Sequence, residues 1–101
     1  MSILHTVNKS PFDKNSLSRC IDYAQADSAI LLIEDGVYGA MKGTNVADQV
    51  AGLDGVSVYI LGPDMQARGI NEDALLPGIS VVDYAGFVDL VTEKDKVQSW
   101  L

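Results

Sequence analysis

Cys20 and His5 each occur once in the sequence, and they are its most reactive side-chain types. A cysteine can act as a nucleophile or carry sulfur as a persulfide, provided its thiolate is accessible. Leu17, Cys20, Ile21 and Ala24 recur at i, i+3, i+4 and i+7, so they share one helical face. Cys20 then sits mid-helix, away from the N-terminal dipole that depresses thiol pKa values, and Arg19 points elsewhere around the helix. The spacing therefore favours a small apolar residue on a buried face over a reactive thiol, in keeping with the usual burial of free cysteines. His5 falls near the exit of a first apolar strand, at the sheet edge expected to hold Asp35 and Asp83. General acid–base chemistry is conceivable there. No nucleophile is paired with it, which favours a histidine satisfied by hydrogen bonds at a strand end or subunit contact.

Glu34, Asp35 and Asp83 gather acid at strand ends, where carboxylates can bind metal or cap helices, and capping is the commoner use. A phospho-acceptor receiver domain needs acids after the first strand, where this chain has His5-Thr6-Val7-Asn8. Neither G-x-G-x-x-G nor G-x-x-x-x-G-K-[ST] occurs. One cysteine and one histidine cannot build a zinc cluster without distant carboxylates or another chain. The expectation is a chain without metal or cofactor.

These residues must be positioned by strands and helices that alternate. The organising stretch is Ala29-Ile30-Leu31-Leu32-Ile33-Glu34-Asp35-Gly36-Val37. Its unbroken apolar run suits a strand covered on both faces of a parallel sheet. Gly36 permits a tight turn, and Asp35 can cap a helix beginning at Val37. Before it, Ile3–Val7 reads as a strand, and a helix is expected from between Asp13 and Ser16 to about Ala26. After it, Gly39 and Gly43 weaken any helix, so one sheet face is expected to be thinly covered and completed by another subunit. Val56–Leu61 is a third strand, followed by a short helix with Pro63 in its first turn and Gly69 at its close. Ile79–Val82 is a fourth strand; Asp83 caps a last helix on which Tyr84, Phe87, Val88 and Val91 share a face. Val97–Leu101 reads as an apolar tail, with Trp100 either folded back on the domain or anchoring a partner. The pattern predicts a single small three-layer α/β domain over residues 1–101, with a mainly parallel sheet.

Composition narrows the function. Apolar residues make up 48% of 101 residues, enough for one core. A formal net charge of −7, with seven scattered basic residues, argues against direct nucleic-acid binding and suits a basic partner protein. The opening Met1-Ser2-Ile3-Leu4-His5 lacks the basic segment of a signal peptide, and no stretch is long enough to span a bilayer. A cytoplasmic location is expected, without membrane association.

Leu4-His5-Thr6-Val7-Asn8-Lys9-Ser10-Pro11-Phe12 and Leu31-Leu32-Ile33-Glu34-Asp35-Gly36-Val37 resemble the DsrH/TusB family. Val58–Leu61, Ala67-Arg68-Gly69, Val82-Asp83-Tyr84, Phe87-Val88 and Trp100 continue the match in register. The resemblance implies a subunit of a cytoplasmic sulfur-relay complex, a heterohexamer with two copies each of DsrE/TusD-type and DsrF/TusC-type partners. It implies persulfide transfer to a DsrC/TusE-type carrier, with the main sulfur-bearing cysteine on the DsrE/TusD-type partner. A cysteine on the first helix is a DsrH-type feature, so Cys20 tilts the expectation toward sulfur oxidation and makes it a candidate secondary persulfide site. The alternatives are a TusB-like role in 2-thiolation of the tRNA wobble uridine, and a purely structural subunit. In the structural reading, the surface near His5, Asp35 and Trp100 serves docking.

Overall fold

The structure is a computed structural model and describes residues 2–101. Five strands form one parallel sheet in the order β4-β3-β2-β1-β5. They are β1 (Ile3–Val7), β2 (Ala29–Leu32), β3 (Ser57–Leu61), β4 (Ser80–Val82) and β5 (Lys96–Trp100). The helices are α1 (Ser16–Tyr23), α2 (Ala47–Ala51), α3 (Gly62–Ala67) and α4 (Tyr84–Glu93). Two 3-10 turns, Glu34–Ala40 and Glu72–Ala74, complete the described elements.

The apolar run of β2 is buried at every position because it lies at the centre of the sheet. Ile30 and Leu32 face one core with Val7, Leu17, Cys20, Val37, Val58, Ile60 and Met65. Ala29 and Leu31 face a second, much smaller core with Leu4 and Leu90. The asymmetry follows from topology. The crossovers β1–β2, β2–β3 and β3–β4 all run in one direction, so right-handedness puts α1, α2, α3 and the 3-10 turn on one face. Only the return from β4 to β5 crosses the other face, and it carries α4 alone.

Three expectations change here. The segment after Gly36 is indeed weakly helical, yet the thin face is the opposite one, because several short elements share the first face. On α4, Leu90 is buried and Phe87 packs on the sheet, whereas Tyr84, Val88 and Val91 stay exposed. The apolar arc of α4 is wider than its contact with the sheet. Residues 97–101, expected as a tail, are mostly strand: β5 pairs along the whole of β1, from Ile3 opposite Lys96 to Val7 opposite Trp100. The strand patterning was obscured because β5 is an edge strand with half its residues facing water.

The turn after β2 also differs in its mechanics. Glu34, not Gly36, adopts the positive φ, at 49°. Gly36 is needed for close approach, since a Cβ there would collide with the Val7 carbonyl. Asp35 lies within the 3-10 turn rather than capping it. Asp83 does cap α4, accepting a hydrogen bond from the Gly86 N–H at 2.8 Å.

Candidate functional site

Cys20 lies on the inner face of α1, with Leu17 one turn before it, and is fully buried in the larger core. Burial favours the neutral thiol and pushes its pKa up from 9.0 to about 12. At neutral pH this group is protonated and enclosed, the opposite of the exposed, cation-flanked setting that makes a thiol reactive.

His5 and Trp100 come together, but not at the sheet edge anticipated for His5. His5 is in the middle of β1, flanked by Ile30 of β2 and Gln98 of β5, and is fully buried. Strand alternation sets His5, Val7, Gln98 and Trp100 on the α1 side of the sheet. The Trp100 indole N–H donates to His5 Nδ1 at 3.0 Å. An indole nitrogen can only donate, so Nδ1 is unprotonated and the neutral imidazole carries its hydrogen on Nε2. Nε2 has no hydrogen-bond partner among the described residues. Tyr23, at the end of α1, completes the cluster edge-on to both rings, with centroids 6.1 Å from His5 and 5.8 Å from Trp100. Burial lowers the His5 pKa from 6.5. Next to this cluster, Arg19, Asp22, Tyr23 and Trp100 line an open cavity of about 290 Å³.

Asp35 belongs elsewhere. Its Oδ1 accepts from Arg68 Nε at 2.9 Å, and Arg68 Nη1 reaches the Asp64 carbonyl at 3.2 Å. Asp64 Oδ2 in turn accepts the backbone N–H of Glu34 at 2.7 Å. Arg68 and Asp64 thus fasten the turn after β2 to α3, and hold Glu34 in its left-handed conformation. The carboxylate that could have served acid–base chemistry is committed to this tie. Asp83 is committed to its cap. The site residues expected to meet therefore divide into a His5–Trp100 pair and a separate Asp35–Arg68 pair.

Tyr23, Asp64 and Arg68 were not foreseen as partners of these residues. Arg68 lies within the Ala67-Arg68-Gly69 stretch that carried part of the resemblance, but a sequence gives no sign of the residue it meets across the fold. Chemically, the arrangement offers an aromatic-walled recess and an enclosed thiol. It pairs neither His5 nor Asp35 with a nucleophile.

Comparison with known proteins gives a consistent picture. A family model described as "DsrH like protein" matches residues 9–97. "Protein TusB" of Pectobacterium parmentieri is 32% identical over 100 residues, spanning 97% of this chain and 100% of that protein. "Protein TusB" of Pectobacterium carotovorum subsp. carotovorum (strain PC1) is 34% identical over 101 residues with the same coverage. The crystal structure of the ychN protein from E. coli superimposes with a TM-score of 0.86 over 98% of both chains. At 19% identity that likeness establishes the shared fold alone.

Proposed function

The chain belongs to the DsrH/TusB family, and from that premise we propose that it is a TusB-type subunit of a sulfur-relay complex serving 2-thiolation of the tRNA wobble uridine. The observation that carries this reading is the end-to-end correspondence with proteins named TusB, at 32% and 34% identity. These relatives favour the thiolation branch over the sulfur oxidation that Cys20 had suggested. The partners are TusC- and TusD-type subunits, with a TusE-type carrier as acceptor, in the cytoplasm. In the relay a carrier thiolate attacks the outer sulfur of a persulfide, takes that sulfur, and releases the donor thiolate.

The role of this subunit is assembly. Cys20 is enclosed and protonated, so it fills the core beneath α1 and leaves sulfur transfer to the TusD-type partner. The net charge of −7 suits a protein partner and leaves tRNA contact to other components.

The test is nucleoside analysis of tRNA from cells lacking this gene, complemented with wild type or Cys20→Ala. The reading expects 2-thiouridine at the wobble position to fall on deletion and to return with both. Unchanged 2-thiouridine on deletion would refute the thiolation role. Rescue by wild type but not by a folded Cys20→Ala would refute the assembly role.

A further inference from the structure

β5 is the outermost strand on its side of the sheet and pairs with β1 alone. Lys96, Gln98 and Trp100 share the α1 side, whereas Val97 and Ser99 face the other way. The backbone alternates as well. Lys96 N–H donates to the Ser2 carbonyl at 3.3 Å, so in this parallel ladder the N–H and C=O groups of Lys96, Gln98 and Trp100 turn toward β1. Those of Val97 and Ser99 turn outward, and they have no backbone partner among the described residues. Both residues are exposed, so the edge is open to solvent.

We propose that two copies of this chain join antiparallel along β5, about a two-fold axis at Gln98, and that each seats its Lys96 in the other's Trp100 recess. The register follows from which groups point outward. With the axis at Gln98, Val97 lies opposite the second copy's Ser99, and Ser99 opposite the second copy's Val97. All four outward N–H groups then donate to outward carbonyls, and the two sheets join in a closed, isologous contact. An axis at Val97 would set Ser99 against Asp95, whose N–H already donates to Ser2. An axis at Ser99 would set Val97 against Leu101, whose carbonyl already accepts from Ser16.

Charge and shape select a second copy as the occupant. In this register Lys96 stands directly opposite the second copy's Trp100 on the α1 side, as a non-hydrogen-bonded pair, in which side chains approach most closely. Trp100 lines the cavity of about 290 Å³ together with Tyr23, Arg19 and Asp22. There the charges of Arg19 and Asp22 balance, and the aromatic walls favour an entering ammonium. Arg68–Asp35 is the one ion pair among the described residues, so Lys96 and Asp22 are both available to each other across the interface. The −7 carried by each copy is screened beyond about 8 Å at physiological ionic strength, whereas the Lys96 contacts are local. The inference does not rest on the sulfur-relay reading and is tested on the chain alone.

Sedimentation velocity of the full chain, in a concentration series at physiological ionic strength, is expected to show a reversible monomer–dimer equilibrium. Lys96→Glu should weaken the dimer by at least about tenfold, because both seats then hold the wrong charge. Adding Asp22→Lys to that variant should recover most of the loss. Val97→Pro removes an outward N–H and spares the pairing with β1, so it should abolish the dimer. Lys42→Glu makes the same charge change on the β4 side of the sheet and should leave the equilibrium unchanged. A wild-type chain that stays monomeric throughout the series overturns the proposal. So does a dimer that folded Lys96→Glu or Val97→Pro leaves at wild-type strength, a Lys96→Glu loss that Asp22→Lys fails to relieve, or an equal loss with Lys42→Glu.

Discussion

At the residue scale, the two singular side chains behave as buried groups. Cys20 is sealed under α1 with its thiol pKa raised to about 12. A thiol-specific disulfide reagent at pH 8 should leave the folded chain unmodified for as long as it stays folded, and should react at once after urea unfolding. Rapid reaction in the native state would show an accessible thiolate. His5 makes an opposite pH prediction from its depressed pKa. The unfolded chain takes up a proton near pH 6.5 that the folded chain resists. The stability contributed by neutral His5 is therefore full above about pH 6.5 and is lost as pH falls from there through the lower native pKa. Urea titrations between pH 8 and pH 5 should show wild type losing stability more steeply than His5→Asn. Parallel pH profiles would remove His5 from the acid response. Tyr23, Arg19 and Asp22 lie around the same recess and are unchanged in that comparison.

Trp100 tests the same cluster from the other side. Replacing it with Phe keeps an aromatic ring but removes the N–H that satisfies His5 Nδ1. Leaving a buried acceptor unpaired costs about 1–3 kcal/mol, so Trp100→Phe should lower the urea midpoint accordingly. A midpoint equal to wild type would mean that the hydrogen bond contributes nothing net.

At the element scale, the turn after β2 is the most sensitive junction. Gly36 packs against the Val7 carbonyl, and a Cβ there must displace the backbone of β1. Overpacking of this kind costs about 1–3 kcal/mol, so Gly36→Ala should be destabilised by that order in chemical denaturation. Stability equal to wild type would show that the turn has slack. The sequence made the existence of this turn legible, because an apolar run ending in Glu34-Asp35-Gly36 can hardly continue as a strand. It did not reveal which residue bends: the positive φ falls on Glu34, held by Asp64 from a helix 30 residues further on. β1, the end of β3, α4 with its Asp83 cap, and the Leu17/Cys20 face of α1 could all be read from local spacing. β5 could not, because an edge strand of mixed exposure has little apolar alternation and its pairing with β1 is entirely non-local. The His5–Trp100 contact was hidden for the same reason, since it depends on that register.

At the scale of the whole molecule, the uneven covering of the sheet points to assembly. One face holds most of the core, whereas the other is covered by the single helix α4, whose Tyr84 and Val88 stay exposed, as does Val97 of β5. Family membership and an enclosed thiol support the proposal of a subunit that shapes a complex without carrying its sulfur. The most direct test is intact-mass spectrometry of this chain within a complex co-expressed with TusC- and TusD-type subunits, after exposure to a persulfide donor. The account predicts that a partner subunit gains sulfur while this chain keeps its unmodified mass. Sulfur that appears on Cys20 and then leaves to the TusE-type carrier would contradict it and make this subunit a station in the relay.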